Sequence, residues 1–132
     1  MKVPVKGVTT SGSVHPRTEL REMTSSGSEA GWGSKDGTTH TMTFTSTVTH
    51  LPSVTQRTVP MQVFNGGGGH PWMEVFAQVG KGVYFYLNDS TGSSHVTYHV
   101  DPDWTLGKSF TMKTVIYNGN LKFYYNDMST PN

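Results

Sequence analysis

Apolar and polar residues alternate with a period of two through the run "THTMTFTSTVTHL". Every second residue is a threonine, and half of the residues between them are apolar. The threonines are Thr39, Thr41, Thr43, Thr45, Thr47 and Thr49, and the other face carries His40, Met42, Phe44, Ser46, Val48 and His50. Successive side chains of a strand point to opposite faces. The pattern therefore predicts a long, half-buried antiparallel strand with its threonines facing outwards.

Shorter runs of the same kind follow and predict the other strands. They are "PMQVF", "WMEVFAQVG", "GVYFYLN" and "SSHVTYHV", and the last two flank the hairpin signal "DSTG". The segment "SFTMKTVIYNGNLKFYYND" predicts two strands around "NGN", with Phe110, Met112, Thr114 and Ile116 on one face. No segment has helical periodicity. We therefore predict an all-β protein, an antiparallel β-sandwich of jelly-roll or related type, as a single domain over residues 1–132.

Composition narrows the classes of partner. The 132 residues are 33% hydrophobic and 14% charged, and the net charge is only +1. A field this weak does not attract nucleic acid or an anionic membrane. There is no cysteine, which excludes disulfides and thiolate metal sites. The sequence has no apolar run near the ~20 residues of a membrane span, and the beginning "MKVPVKGVTTSG" does not read as a signal peptide. We expect neither nucleic acid nor membrane as a partner, and the oligomeric state stays open.

The stretch "VHPRTELREM", residues 14–23, holds two of the three arginines. We interpret it as a strand, which places His15, Arg17, Glu19 and Arg21 on one face. Glu19 lies between the arginines, so it can pair with one and orient both. Such a face is either a solvated ion-pair ladder or a surface that grips an anionic or polyhydroxylated ligand.

The same stretch resembles the Arg-(Ser/Thr)-Glu-Leu-Arg signature of the alginate lyase family, polysaccharide lyase family 7, and of the related glucuronan lyases. The match is unbroken from Pro16 to Glu22. Further on, "VTHLPSVTQRTVPMQVF" is similar to the segment in which that family ends a strand with Gln-Ile-His or Gln-Val-His. The resemblance implies a jelly roll whose concave groove holds a uronate chain, cleavage by β-elimination, an acidic polysaccharide partner and an extracellular or secreted protein.

The chain departs from this family pattern at two places. The histidine of the second motif falls at Phe64, so "QVF" keeps Gln62 without the imidazole. The family's last motif, a strand with a catalytic tyrosine, has no counterpart. The resemblance thus covers nearly all of the chain, and it implies that the chain corresponds to the middle of the family domain, with a jelly roll incomplete at both ends.

The resemblance assigns roles in β-elimination, which removes the C5 proton beside the uronate carboxylate. By this resemblance Arg17 and Gln62 neutralise the carboxylate charge, while Glu19 and Arg21 hold the groove. Without the family, Gln62 is equally well an ordinary polar residue at the end of a strand.

A base is also required, and Phe64 cannot act as one. Our first choice is His15, about 7 Å from Arg17 along an extended strand. Its ordinary interpretation is a surface histidine before a proline. His70 in "GGGGHP" and the late tyrosine Tyr124 are further groove candidates. A glycine-rich turn is more often only mobile, and a late aromatic residue more often only packs.

The other histidines do not form a metal signature. His95 and His99 share a strand face but lie about 13 Å apart, too far for one ion. We predict no metal and no cofactor. The leading function is a polysaccharide lyase acting on alginate or glucuronan. The alternative is a non-catalytic carbohydrate-binding module on the same scaffold, of the adhesin or tail-fibre type.

Overall fold

The computed structural model describes residues 1–4, 6–9, 11, 13, 15–64 and 69–132. The chain divides into two compact units, residues 1–30 and residues 31–132. The strands lie in the second unit, and the stretch with the Arg-Thr-Glu-Leu-Arg motif lies in the first.

Two antiparallel sheets make up the second unit. The described residues form seven strands and no helix. The strands are β1 (His40–Thr47), β2 (Arg57–Val63), β3 (Met73–Gln78), β4 (Gly82–Asn88), β5 (His95–Asp101), β6 (Ser109–Tyr117) and β7 (Asn120–Tyr125). One sheet has the order β1-β6-β7 and the other the order β2-β3-β4-β5. The predicted all-β sandwich is confirmed.

The alternation in the threonine-rich run predicts the faces of β1 correctly. Thr41, Thr43, Thr45 and Thr47 are exposed, and the residues between them are half-buried. On the neighbouring β6, the predicted apolar face of Phe110, Met112, Thr114 and Ile116 is at most 1% exposed. β1 ends at Thr47, because the carbonyl of Val48 already accepts the N–H of Gly107, at 2.9 Å, from the loop before β6.

The core lies between the inner faces of the two sheets. The rings of Phe85 on β4 and Phe123 on β7 pack with their centroids 4.8 Å apart. The buried Thr114 hydroxyl donates to the sulfur of Met61 across the same interface, at 3.3 Å. A hydroxyl that has a partner avoids most of the cost of its burial.

The turn between β6 and β7 has the conformation that its sequence predicts. Asn118 and Gly119 have φ values of 48° and 77°. Two successive residues with positive φ define the type I′ turn, whose twist matches that of the flanking strands. The "NGN" hairpin prediction is confirmed, as is the hairpin of β4 and β5 around "DSTG".

The strand predicted for residues 14–23 is wrong. Val14 lies outside the described residues, and residues 15–22 form no strand. Met23 alone makes an isolated antiparallel bridge, with Glu29. Pro16 has no N–H to donate to a ladder, and Leu20, on the supposed apolar face, is 91% exposed. Alternating charges without a buried face do not require a strand.

Candidate functional site

The first unit holds a network of two arginines and two glutamates. Glu19 uses one carboxylate oxygen for each arginine, 3.3 Å from Arg17 Nη1 and 2.8 Å from Arg21 Nη2. Arg21 also pairs with Glu29 through its other terminal nitrogen. Hydrogen bonds from Glu19 and then Glu29 raise the pKa of Arg21 above its ordinary value. The sequence predicted that Glu19 pairs with one arginine and orients both; in the structure it pairs with both, although the backbone is not a strand.

A tight loop brings Glu29 to this network. The N–H of Thr24 donates to the carbonyl of Ser28 at 2.8 Å, and the N–H of Ala30 donates to that of Glu22 at 3.0 Å. Gly27, at φ 82°, makes the reversal. The fourth member of the network therefore comes from beyond the Arg-Thr-Glu-Leu-Arg motif, where the motif alone did not reveal it.

His15 lies in the first unit as an exposed residue. Its contacts to Ser13 are made by the backbone: the Ser13 hydroxyl donates to the His15 carbonyl at 2.9 Å and accepts from the His15 N–H at 3.2 Å. These contacts fix the main chain at His15, and among the described residues its imidazole has no hydrogen-bond partner.

Gln62 lies on the outer face of the four-stranded sheet. Its Nε2 donates to Glu74 Oε1 at 2.9 Å, between directly paired positions of β2 and β3. An ionised carboxylate only accepts hydrogen bonds, so the amide nitrogen has to face Glu74. Within the described part of the chain, the second amide hydrogen and the amide oxygen of Gln62 have no other hydrogen-bond partner.

Aromatic side chains surround Gln62 and Glu74 on this surface, which we call the Gln62 face. It consists of the outward side chains of β2–β5: Arg57, Gln62, Glu74, Phe76, Gln78, Tyr84, Tyr86, His95 and His99. Phe76 stacks on Tyr84 with a centroid distance of 5.2 Å, and Tyr86 lies 4.7 Å from Phe76. The Tyr84 hydroxyl donates to Gln78 Oε1 at 2.7 Å. Burial, and secondarily Tyr84, raise the pKa of Tyr86 above its ordinary value, so this phenol stays protonated at neutral pH.

Two histidines on the Gln62 face were not predicted as site residues. His95 stacks on Tyr86 with ring centroids 3.8 Å apart, and His99 lies 5.5 Å from Tyr84. The sequence predicts that His95 and His99 share one face of a strand. They were considered there only as a pair of metal ligands, which their separation excludes. The sequence signal for this surface was the alternation of β4, which puts Tyr84 and Tyr86 on the same face.

The other two predicted groove residues contact different parts of the fold. The Nε2–H of His70 donates to the Ser90 carbonyl in the β4–β5 turn, at 3.1 Å, and the His70 ring packs against Gly92. Tyr124 is on the outer face of the three-stranded sheet, the other sheet of the sandwich, with Lys113 Nζ 3.8 Å above its ring. The structure therefore does not bring Tyr124 together with Gln62.

Phe64 directly follows β2, and it accepts a 3.4 Å hydrogen bond from the Trp32 N–H through its carbonyl. Within the described part of the chain, no group of three or more histidine, aspartate or glutamate side chains is arranged to hold a metal ion. No helix among these residues is long and apolar enough to cross a membrane.

Comparisons with known proteins identify relatives of this fold. The chain is similar to alginate lyase AlgAT5 from polysaccharide lyase family 7, with 34% identity, a TM-score of 0.73, and coverage of 92% of this chain and 53% of that one. It is also similar to the alginate lyase from Corynebacterium sp., with 38% identity, a TM-score of 0.74, and coverage of 94% and 52%. The chain thus spans about half the length of these solved structures. The comparison with curated proteins gave no match.

The likeness to both alginate lyases confirms a sandwich of jelly-roll type. The family model described as "Alginate lyase" matches residues 1–132, the whole chain. Two sequence motifs, the fold and the family model therefore agree, and this chain belongs to the alginate lyase family.

Proposed function

We propose that this chain acts as a polysaccharide lyase on a uronate polymer, alginate first and glucuronan second, outside the cell. The proposal rests on the position of Gln62. It occupies the place of the family's glutamine on an outer sheet face, and one of its amide hydrogens has no acceptor among the described residues. Family membership over residues 1–132 supports the reaction class.

Charge neutralisation is the first chemical requirement of β-elimination. The C5 proton of a uronate becomes acidic only when the neighbouring carboxylate is neutralised, because negative charge develops there as the proton leaves. Gln62 donates its second amide hydrogen to that carboxylate. Arg17 supplies the positive charge, and Glu19 and Arg21 hold its guanidinium in place.

Proton transfer is the second requirement. We propose His15 as the base, since its side chain is exposed and an imidazole can accept and return a proton. The proton then has to reach the O4 leaving group as the C4–O4 bond breaks and the C4–C5 double bond forms. His70 is proposed as a contact for the polymer beyond the reacting sugar, whereas Tyr124, on the outer face of the other sheet, has no role in this proposal.

A second candidate function is a non-catalytic module that binds acidic polysaccharide. Phe64 favours it, because a phenyl ring at the position of the family histidine cannot transfer a proton. The ion-pair network and Gln62 serve binding whether or not a reaction follows.

Ultraviolet absorbance separates the two functions. A lyase product carries a C4–C5 double bond conjugated to the carboxylate, which absorbs where the intact polymer does not. We expect absorbance to rise with alginate and His15→Ala to abolish the rise, whereas Lys122→Ala, an exposed site on β7, serves as the unaffected control. Binding without any rise in absorbance, on alginate and on glucuronan, rejects the lyase in favour of the module.

A further inference from the structure

Arg57 is a cation that forms no ion pair with the described residues. Its guanidinium carbon lies 4.7 Å from the ring centroid of Phe76, and the residue is exposed. Within the described ranges, the ion pairs of the protein use Arg17, Arg21, His40 and Lys108 and not Arg57. A cation–π contact uses the charge of a guanidinium and does not consume its N–H donors. Arg57 is therefore held in position by the ring with its donors available.

A bulge in β2 places Arg57 on the same face as Gln62. The two residues are five positions apart, and an odd spacing in a regular strand puts side chains on opposite faces. The pairing of β2 with β3 shifts between Thr58 and Met61, so that Arg57 pairs with Gln78 and Gln62 pairs with Glu74. Gln78 and Glu74 are four positions apart in regular β3 and share a face. The extra residue thus restores the phase, as bulges do next to functional sites.

The span between the two side chains limits what can touch both. Their partners on β3 are four positions apart, which is about 13 Å along the strand at ~3.3 Å per residue. One sugar ring is much shorter than this. A ligand that meets Gln62 and Arg57 together has to be a chain, and a chain with a carboxylate on each sugar offers a partner to both.

We propose that Arg57 binds a second carboxylate of the uronate chain, on a sugar removed from the one that Gln62 contacts. The guanidinium fork donates two parallel hydrogen bonds to a carboxylate, and the contact with Phe76 holds it at the sheet face. This inference rests on the proposed function, because it takes the Gln62 face as the surface that carries the polymer. It makes Arg57 a determinant of chain length and register, distinct from the residues of bond cleavage.

Binding of uronate oligosaccharides of increasing length tests this. We would titrate alginate-derived oligosaccharides, from disaccharide to hexasaccharide, into wild type and Arg57→Ala and follow backbone amide shifts by NMR. We expect Arg57→Ala to weaken hexasaccharide binding about tenfold, the effect of one charge-assisted contact, and to leave disaccharide binding at Gln62 unchanged. Arg57→Lys keeps the charge but not the fork, and recovers only part of the loss.

Lys122→Ala is the matched control, since it removes one exposed positive charge from the other sheet. Equal affinities for Arg57→Ala and Lys122→Ala at every length overturn the inference, and so does a loss that is the same for short and long chains. The proposed function fails separately: a length-dependent Arg57 effect without any lyase product rejects catalysis and keeps this inference. Cleavage by wild type with an indifferent Arg57→Ala rejects the inference and keeps the lyase. A wild type that neither binds nor cleaves rejects both.

Discussion

The two outer faces of the sandwich are built by the same alternation and carry opposite chemistry. On the three-stranded sheet, β1 exposes a ladder of threonines, and Thr45 bonds Thr111 on the neighbouring strand at 2.7 Å. On the four-stranded sheet, the Gln62 face carries an amide, a carboxylate, a guanidinium and several rings. The threonine hydroxyls of the first face can form hydrogen bonds with one another or with water, so they need no ligand as a partner. On the second face, and within the described residues, one amide hydrogen of Gln62 has no acceptor and Arg57 has no ion-pair partner, which is why we propose this face as the one that binds a ligand.

The two sheets share one core, and the substitution of Phe123 is the strongest test of this. It is 1% exposed and packs against Phe85 of the opposite sheet. We expect Phe123→Ala to lower the free energy of unfolding by about 3–5 kcal/mol, through lost transfer energy and the cavity left behind. Urea denaturation followed by tryptophan fluorescence measures it. The adjacent exposed residue is the control, with Lys122→Ala expected within about 0.5 kcal/mol. A loss below 1 kcal/mol for Phe123→Ala would mean that the two sheets do not share a core.

Gln62 distinguishes the faces by function. Gln62→Leu removes the donor and leaves Glu74 without its partner. We expect kcat/KM on alginate to fall about a hundredfold, the effect of losing one donor to developing charge. Thr43→Ala on the other outer face is the control and should keep wild-type kinetics. If the two variants lose activity equally, the Gln62 face has no special role.

The fold was predictable where burial is periodic, and the site was predictable only in part. Alternation gave the inner face of β6 correctly, because a side-chain period of two is all that a strand on a core requires. Residues 15–22 imitate that period with charges alone. Glu19 satisfies both arginines locally, so nothing there demands a ladder. Sequence alternation is thus evidence for a strand only when one of its faces is apolar enough to be buried.

Arg57 shows the opposite limit of sequence reasoning. Its odd spacing from Gln62 predicts opposite faces, and only the register shift between Thr58 and Met61 reverses that prediction. A bulge depends on how two strands pair, which the residues of one strand do not reveal. The motif residue Gln62 was therefore found from the sequence, and its neighbours on the same face were not.

Tyr125, on β7, links the two sheets by a hydrogen bond to Asp101 at the end of β5. Its hydroxyl donates to Asp101 at 2.9 Å, at the end of β5, and Lys108 bonds the same carboxylate oxygen at 3.0 Å. We expect Tyr125→Phe to cost about 1.5 kcal/mol of unfolding free energy, since a bond to a charged acceptor is lost while Lys108 still pairs with it. Tyr98→Phe, an exposed tyrosine, is the control.

The pH dependence of this difference gives an independent check. Burial and then Asp101 raise the pKa of Tyr125 in the folded protein. The folded state thus holds this proton more tightly than the unfolded state, so the stabilisation is complete below the ordinary tyrosine pKa of about 10. It declines as the pH rises above that value. Wild type and Tyr125→Phe should converge in alkaline denaturation, and a difference that widens instead contradicts the assignment.

The smallest expected effect lies in the β4–β5 turn, at one end of the four-stranded sheet. Asp89 accepts hydrogen bonds from the Ser94 hydroxyl at 2.6 Å and the Thr91 hydroxyl at 2.8 Å. These bonds, Ser94 first, lower the pKa of Asp89 well below its ordinary range. A carboxyl with a lowered folded pKa stabilises the turn above its ordinary pKa of about 3.9, and this contribution is lost as the pH falls through the folded value.

Removing the Ser94 hydroxyl should therefore make the four-stranded sheet more sensitive to acid than the three-stranded sheet. We expect Ser94→Ala to raise the Asp89 pKa towards its ordinary value in an NMR carboxyl titration, with Ser90→Ala as the control in the same turn. In hydrogen exchange at acid pH, the amides of β4 and β5 should lose protection at a higher pH in Ser94→Ala than in wild type. Those of β1 and β6 should not change, because no residue of that turn pairs with them. If all four strands shift together, acid acts on the sandwich as a whole and the two outer faces are not separable in stability, so only their side chains distinguish them.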